Sequence, residues 1–329
     1  MNQDILSDVL RSVRLRGALY FHVRGTRDWA AEAPASREIG AAVMPGAEHV
    51  MEFHAVISGA CWAAKVGGEP VHLAAGDLVV FPQGDAHVVS SAPGMRAPPK
   101  PEGYFERQHE PRPFNLHLDA QEIHAGSASS GSDTILVCGF LGCDLRPFNP
   151  LIAALPPMLH LPSADGQEWA MQCMRHAAAE STNGRPGSDA MLERLSEMLF
   201  IDAMRRYLGA LPEGSEGWLA GLRDRFVGRA LSLLHASPEA PWTVEELGRR
   251  VGLSRSALHE RFVSLIGLPP MQYLAQWRIQ SGAALLRDHA MTVAAVAQQV
   301  GYESEAAFAR AFKRLVGQPP AVWRRQSKA

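Results

Sequence analysis

The last hundred or so residues contain one helical pattern written twice. In the first half of the pattern the copies are 49 residues apart, and the matched residues are Thr243, Leu247, Val251 and Gly252 with Thr292, Val296, Val300 and Gly301. In the second half they are 50 apart, and the matched residues are Ser254, Leu258, Phe262 and Gly267 with Ser304, Phe308, Phe312 and Gly317. Because the offset changes only in the turn between the halves, the chain repeats one supersecondary unit. Each copy predicts a helix, a short turn with glycine and a second helix, which is the helix-turn-helix pattern.

The outward side chains of each second helix are the candidates for reading DNA. In a helix-turn-helix this helix enters the major groove, so side chains near its N-terminus reach base edges. In the two units these are Arg255, Ser256 and His259, and Glu305, Ala306, Ala309 and Arg310. Arginine can bind guanine through two hydrogen bonds, whereas alanine offers only apolar contact to a thymine methyl group. The sequence therefore predicts that the first unit carries more of the specificity.

The charge of the chain is divided unevenly, although its net value is only -2. From Arg223 to the end there are 15 basic and 8 acidic residues, which leaves 17 basic and 26 acidic residues for the rest. A basic segment favours contact with the phosphates of double-stranded DNA, which supply affinity without sequence information. The candidates for these contacts are Arg250, Arg261, Arg278, Lys313, Arg314 and Arg324. The alternative is a helical module that binds another protein and carries ordinary solvated charges.

The N-terminal half has a different sequence pattern. From residue 18 onward, short apolar runs such as 51–56 and 77–81 are bounded by Gly, Pro or Ser, which predicts an antiparallel barrel or sandwich. Residues 89–133 are rich in Pro, His, Gly and Ser and predict a loop insertion. Residues 151–222 show helical periodicity, and the amphipathic helices expected there could pack on the barrel or pair with a second copy of the chain.

Two stretches of this half resemble the cupin superfamily. The first is His54 followed by Gly59, with four residues between them. The second is the Gly-Asp turn at 76–77 followed by Pro82, Gly84 and His87. The resemblance implies a small jelly-roll barrel in which the Pro-x-Gly-x-x-His segment brings a histidine to the barrel mouth.

Residues 225–325 resemble the AraC/XylS family of bacterial transcription regulators. The matching motifs are Ala257-Leu258-x3-Phe262, Gly267-x-Pro-Pro, Gly301-Tyr302, and Phe308-x3-Phe312-Lys313 with Gly317-x-Pro-Pro. Part of that family carries a cupin-type sensor, and residues 138–150 resemble that branch. The resemblance implies two units that read adjacent segments of the major groove, with RNA polymerase as a further partner if the output is activation.

Four residues of the N-terminal half are the candidates for sensor chemistry. Two histidines and two cysteines suit tetrahedral zinc, and here they are His54, His87, Cys138 and Cys143. One alternative is that the histidines form hydrogen bonds inside the barrel and the cysteines are small buried apolar residues. Another is that oxidation of Cys138 and Cys143 is the signal, which requires exposed thiolates with a lowered pKa.

A metal-dependent cupin enzyme is the competing function. Catalytic cupins usually have a His-x-His pair and a carboxylate in their first metal-binding motif. The similar stretch of this chain has His54 alone, so we expect no catalysis. The predicted protein is α+β and multidomain, with a cupin-like β-barrel (jelly roll) in 1–150, a helical connector and possible homodimer region in 151–222, and an all-α domain with two helix-turn-helix units in 223–329. With four cysteines and no apolar run long enough for a membrane span, we expect a cytoplasmic protein that responds to a small molecule, a metal or an oxidant.

Overall fold

The computed structural model describes residues 3–26, 28–106, 113–119, 122–125, 134–163, 168–183, 185–288 and 290–326. The chain divides into two compact units, each assembled from separate stretches. The sheet unit comprises Leu15–Cys143 and Leu155–Gly209. The helical unit comprises Met1–Arg14, Asp144–Ala154 and Ala210–Ala329.

Eleven strands are found among the described residues. They are β1 (Arg16–Gly25), β2 (Ala30–Ala33), β3 (His49–Ser58), β4 (Ala60–Lys65), β5 (Val71–Ala74), β6 (Leu78–Phe81), β7 (His87–Ser90), β8 (Phe114–Asp119), β9 (Glu122–Ala125), β10 (Thr134–Cys143) and β11 (Leu159–Leu161). Seven of them form one sheet in the order β11-β6-β3-β10-β1-β8-β9, and the others form a second sheet in the order β2-β7-β4-β5. Both sheets contribute to one core, where Val56 and Leu136 of the larger sheet lie with Cys61 and Leu73 of the smaller one. The predicted jelly-roll barrel or sandwich is confirmed. The described strands form two sheets and not one closed barrel, and β1 and β8 are parallel where an antiparallel pair was expected.

Fourteen helices are found among the described residues. They are α1 (Ile5–Ser12), α2 (Ser36–Val43), α3 (Glu102–Glu106), α4 (Pro150–Ala153), α5 (Glu168–Asn183), α6 (Ser188–Ala210), α7 (Trp218–Arg223), α8 (Val227–Ala236), α9 (Val244–Val251), α10 (Arg255–Ile266), α11 (Pro270–Asp288), α12 (Val293–Gln299), α13 (Glu305–Val316) and α14 (Pro320–Gln326). None of them combines the length and the apolar character that crossing a membrane requires.

Gly139 lies at a crowded position of the central strand β10, which pairs with β1 and β3. A Cβ atom on Gly139 of β10 would lie 2.4 Å from the carbonyl oxygen of Ala18 and 2.7 Å from the ring of Phe53. Both distances are below any real carbon contact, so a larger residue would push these strands apart. Gly139 therefore allows the Phe53 ring to fill the space above β10.

The segment 89–133, predicted as a loop, contains regular structure. It includes α3, β8 and β9, and β8 pairs with β1 in parallel, with Phe114 opposite Phe21. The loop prediction is wrong for 114–119, where the alternation of Phe114, Leu116 and Leu118 with polar residues is typical of a strand with one buried face. Residues 107–112 and the Ser-rich 126–133 lie outside the described residues.

The helix-turn-helix pattern is present twice in the helical unit. In the first copy the Thr243 hydroxyl accepts a hydrogen bond from the backbone N–H of Glu246, and α9 ends at Gly252, whose φ of 84° is in the left-handed region that glycine favours. In the second copy Thr292 caps α12 and Ser304 caps α13 in the same way. The side chains that share the core of the second copy include Val296, Phe308 and Phe312 with Ile279 of α11.

The unit boundaries differ from the predicted domains. Helix α1 and residues 144–154 group with the helical unit, whereas α5 and α6 group with the sheets. Buried polar contacts are the physical reason: the Gln280 side chain donates to the backbone oxygen of Ser12 at 2.9 Å and accepts from the backbone N–H of Phe148 at 2.9 Å. Because Gln280 is 1% exposed, these bonds form away from water and hold both outer segments against α11.

Candidate functional site

The sheet unit contains a cavity of about 530 Å³. Most of its lining is apolar and includes Phe21, Val23, Val89, Leu116 and Leu118. Polar lining side chains include Glu52, His54, His87, Cys138, Lys100 and Glu102. An apolar cavity with a few convergent polar groups is typical of a small-molecule site.

Three of these polar residues form a buried cluster. Glu52 and His54 are two residues apart on β3 and therefore point to the same face of the sheet, while His87 begins β7 in the other sheet. The Nε2 atoms of His54 and His87 are 2.7 Å apart, and the Glu52 carboxylate oxygens lie 3.9 Å from His54 Nε2 and 3.7 Å from His87 Nε2. One potential ligand atom from each residue lies within 4.8 Å of the other two.

The hydrogen bonds define the tautomers of the two histidines. His87 Nδ1 is 2.9 Å from the backbone oxygen of Asp85, which can only accept, so Nδ1 carries the proton. In the neutral ring, His87 Nε2 is then an acceptor, and His54 Nε2 donates to it. Two buried atoms of this cluster have no hydrogen-bond partner among the described residues, namely His54 Nδ1 and Glu52 Oε2.

Burial governs the charge of this cluster. Loss of solvent raises the pKa of Glu52 to about 8. Burial also lowers the pKa of His87 to about 4, and burial together with the neighbouring His87 lowers the pKa of His54 well below its ordinary value. At neutral pH the cluster therefore holds mostly uncharged groups in a space that disfavours any single charge.

The donor set fits a divalent transition metal ion. Two imidazole nitrogens and one carboxylate are a common ligand set for zinc and for non-haem iron. His87 has the arrangement typical of a metal ligand, because its second nitrogen is fixed by the carbonyl oxygen of Asp85. A dication would also place a positive charge beside the buried Glu52 carboxylate, and it would give a partner to Glu52 Oε2.

The structure brings only part of the sequence-predicted quartet together. Cys138 lies opposite His54 in the pairing of β10 with β3 and lines the same cavity. Cys143 lies five residues further along β10, which places it roughly 17 Å away at about 3.4 Å per residue, and an odd separation points it to the opposite face. Cys143 is therefore not in reach of a metal ion held by His54 and His87, and this part of the quartet is corrected.

The two cysteines also lack the features of a redox sensor. Burial, with smaller contributions from Glu52 and Cys61, raises the pKa of the Cys138 thiol well above its ordinary value. Cys143 is only 2% exposed. Because the thiolate is the reactive form, a buried neutral thiol reacts slowly with oxidants, and the separation along β10 excludes a disulfide between the two. The geometry disfavours oxidation of this pair as the signal.

Glu52 is a candidate site residue that the sequence motifs did not identify. A search for His-x-His finds only His54, but the alternation of a strand places residue 52 on the same face as residue 54. A Glu-x-His pair on a predicted strand was therefore the available signal. We expected no catalysis because His54 stood alone in its motif. In the structure Glu52 and His87 lie beside it, so an incomplete ligand set no longer argues against an enzyme.

The candidate DNA-reading residues lie where the sequence predicts them. In α10 the side chains of Arg255, Ser256 and His259 are exposed, while Leu258 and Phe262 are buried. In α13 the exposed residues are Glu305, Ala306 and Arg310, and Ala309 is half-buried. Both helices thus present one face to the core of the helical unit and leave the candidate reading face open.

The candidate phosphate contacts divide into two groups. Arg250, Arg261, Lys313 and Arg314 are exposed. Arg278 is half-buried, and its guanidinium donates to the backbone oxygens of Pro238 at 2.6 Å and Ala240 at 2.8 Å. The guanidinium therefore stabilises the turn after α8. We assign Arg278 this structural role in place of the predicted phosphate contact.

Comparison with known proteins places both halves of the chain. A family model described as Cupin matches residues 4–209, and one described as Helix-turn-helix domain matches residues 247–326. A putative AraC-like transcription regulator of Streptomyces lividans is 32% identical over 98% of both chains. The HTH-type transcriptional regulator AlkR of Acinetobacter baylyi is 29% identical over 98% of this chain and 100% of its own. A crystal structure of the DNA-binding domain of AdpA, a global transcriptional factor, in complex with a target DNA is 30% identical over 31% of this chain and 92% of that one, with a TM-score of 0.30.

Proposed function

The chain belongs to the AraC family of transcription regulators that carry an N-terminal cupin domain, and we propose that this domain controls DNA binding by holding an effector at Glu52, His54 and His87. As a member of this family the protein is a DNA-binding transcription regulator. We propose that the protein is located in the bacterial cytoplasm, because its DNA target is there.

The observation that carries the effector proposal is the pair of unsatisfied buried atoms in the cluster. A buried polar atom without a partner costs about 1–3 kcal/mol, and such atoms in native structures call for an explanation. His54 Nδ1 and Glu52 Oε2 are both in this state, and one potential ligand atom from each of Glu52, His54 and His87 lies within 4.8 Å of the other two. We propose that a divalent transition metal ion, with zinc as the first candidate, is either the effector itself or the group that binds the effector.

A second effector class is favoured by the apolar wall of the cavity. Phe21, Val23 and Leu116 extend the site beyond the cluster, so a small apolar molecule with one polar end would bury its body there. In this version the polar end binds at His54 and His87. Titration of zinc-free protein with such molecules separates the two classes, because a metal effector needs no organic ligand.

Homodimer formation is proposed through α6. Its exposed apolar side chains Met191, Met198 and Ile201 are seven and three residues apart, which places them on one face of the helix. The exposed Arg194 and Arg205 lie on the same face, so the apolar side chains on it would pack against a second copy of the helix while the arginines stay at the edge of the contact. Sedimentation of the Met198→Glu variant tests this, because a monomer is expected where the unchanged chain dimerises.

We propose that the cluster binds and does not catalyse, since the relatives are regulators of transcription. The deciding experiment is a DNA-binding assay on the full chain with and without zinc. Protection of a promoter segment that changes with zinc supports the proposal. Turnover of a substrate by the zinc-loaded chain, or binding to a protein with no salt dependence and no DNA protection, contradicts it. RNA polymerase is a further partner if zinc increases transcription from the protected promoter.

A further inference from the structure

Three exposed arginines of the helical unit, Arg250, Arg255 and Arg261, lie against carboxylates. Arg255 Nη1 is 2.8 Å from Glu245 Oε1, and Arg250 Nε is 2.8 Å from Glu246 Oε1. Arg261 forms a third pair, with its Nη2 2.6 Å from Asp224 Oδ2. Glu245 and Glu246 are both in the first turn of α9, so one short segment holds two of the three arginines.

The second unit lacks this arrangement. Among the residues that the structure describes, Arg310, Lys313 and Arg314 form no ion pair. The repeat makes the contrast specific, because the position of Glu245 is occupied by Ala294 and the position of Arg255 by Glu305. The unit that has an arginine at the reading position thus has the carboxylate beside it, and the unit without the arginine has alanine there.

The geometry of the pair leaves the guanidinium able to read a base. Glu245 engages Nη1, and within the described part of the chain Arg255 has no other partner. The Nε and Nη2 donors remain, and two adjacent donors are what the O6 and N7 acceptors of guanine accept. A carboxylate that fixes one end of the guanidinium reduces the rotamer freedom lost when the other end binds.

We infer that Glu245 is a positioning residue for specificity, which orients Arg255 for a guanine in the major groove. This inference rests on the proposed role of Arg255 in reading DNA. Glu245 supports the contact with the correct base by holding the guanidinium in place. Its negative charge also weakens the attraction to phosphates, but it does so for every sequence alike, so only the positioning of Arg255 changes the preference.

Glu246 supplies a matched control. It lies in the same helical turn and carries the same charge, but it pairs with Arg249 and Arg250, which are not on the reading helix. Both glutamates also stabilise the N-terminus of α9 through the helix dipole. A purely structural or long-range electrostatic role therefore predicts the same result for Glu245→Gln and Glu246→Gln.

The test uses the full chain and two DNA duplexes, one being a site selected from random sequence by the unchanged protein and the other a scrambled version. We expect Glu245→Gln to weaken binding to the selected site by about two- to fivefold, the size of an exposed ion pair, and not to weaken binding to the scrambled duplex. Glu246→Gln is expected to change both affinities by the same factor. Glu245→Gln is expected to have no effect on the preference when added to Arg255→Ala.

The outcomes separate this inference from the proposed function. If Arg255→Ala leaves the preference unchanged, the reading role of Arg255 is wrong and the inference falls with it. If Arg255→Ala lowers the preference but Glu245→Gln does not, only the inference is wrong. An equal loss of preference in Glu246→Gln, or a loss from Glu245→Gln that persists with Arg255→Ala, also overturns it, because Glu245 would then act without Arg255.

Discussion

Asp144 Oδ2 accepts a hydrogen bond from Arg287 Nη1 at 3.0 Å, with both side chains almost fully buried. The same carboxylate accepts two further bonds from Arg14, each of 2.7 Å. Arg14 follows α1, Asp144 follows β10, and Arg287 lies in the last turn of α11. One buried carboxylate thus joins three distant parts of the sequence within the helical unit.

Replacement of Asp144 by Ala is expected to destabilise the helical unit by about 3–5 kcal/mol, because it removes the buried carboxylate that compensates the charge of Arg287. Chemical unfolding followed by a signal from the helical unit measures this. Arg14→Ala is the control, since the Arg14 side chain is 38% exposed and its loss leaves Asp144 paired with Arg287. A smaller loss for Asp144→Ala than for Arg14→Ala contradicts the central role of the carboxylate.

The metal proposal predicts which variants lose binding. His87→Ala and Glu52→Gln are expected to weaken zinc or cobalt binding by more than roughly tenfold, the effect that loss of an outer-shell partner alone can have. Cys143→Ser is the control and is expected to bind as the unchanged chain does, since Cys143 points away from the cluster. Titration of metal-free protein measures the affinities. Equal weakening by Cys143→Ser contradicts the placement of the site.

The cobalt spectrum decides whether sulfur takes part. Cys138 lines the same cavity, so a cobalt–thiolate absorption band that disappears in Cys138→Ser assigns a fourth ligand. The raised pKa of the Cys138 thiol opposes this, because ligation requires the thiolate. We therefore expect a spectrum without the thiolate band.

Burial of the cluster predicts a pH dependence of the metal-free protein. The pKa of Glu52 rises from 4.5 to about 8 on folding, so its contribution to stability is full below pH 4.5 and is lost as the pH rises toward 8. The pKa of His87 falls from 6.5 to about 4, so stability is also lost as the pH falls from 6.5 toward 4. Each limb changes the free energy of unfolding by about 1.4 kcal/mol per pH unit and per group.

The Glu52→Gln variant isolates the alkaline limb. Glutamine keeps the size of the side chain without an ionisable proton, so the loss of stability between pH 5 and 8 should become smaller, while the acidic limb due to His87 should remain. Denaturant unfolding of the sheet unit at a series of pH values, in the presence of a chelator, measures both limbs. An alkaline limb of unchanged slope in Glu52→Gln shows that another group causes it.

Local signals made the helical unit predictable, and long-range pairing made the cluster hard to predict. Thr243 and Gly252 mark the ends of α9 through bonds within a few residues, so the sequence pattern contains the whole explanation. The role of Glu52 depends on His87 in another sheet, and the role of Asp144 depends on Arg287, 143 residues away. No spacing in the sequence specifies these contacts, because they follow from how the sheets and helices pack.

The close approach at Gly139 predicts a packing effect in the sheet unit. Gly139→Ala is expected to destabilise it by about 1–3 kcal/mol, because the added carbon meets the backbone of Ala18 and the ring of Phe53. Gly209→Ala in α6 is the control, since a Cβ there meets nothing within 4 Å and alanine favours the helix by about 0.5–1 kcal/mol. Thermal unfolding should shift in opposite directions, and a shift of the same sign contradicts the steric argument.

Lys313 and Arg278 are both candidates for phosphate contacts, but the structure gives their side chains different surroundings. Lys313 is exposed on α13, so Lys313→Ala should weaken binding to all DNA sequences alike and reduce the slope of log affinity against log salt by about 0.9. The guanidinium of Arg278 is held by the carbonyl oxygens of Pro238 and Ala240, so Arg278→Ala should lower the stability of the helical unit and leave the salt slope of the folded protein unchanged. Binding isotherms at several salt concentrations, together with unfolding curves, measure both effects. A reduced slope for Arg278→Ala would return that residue to the phosphate contacts, since an arginine bound only to carbonyl oxygens displaces no counterions from DNA.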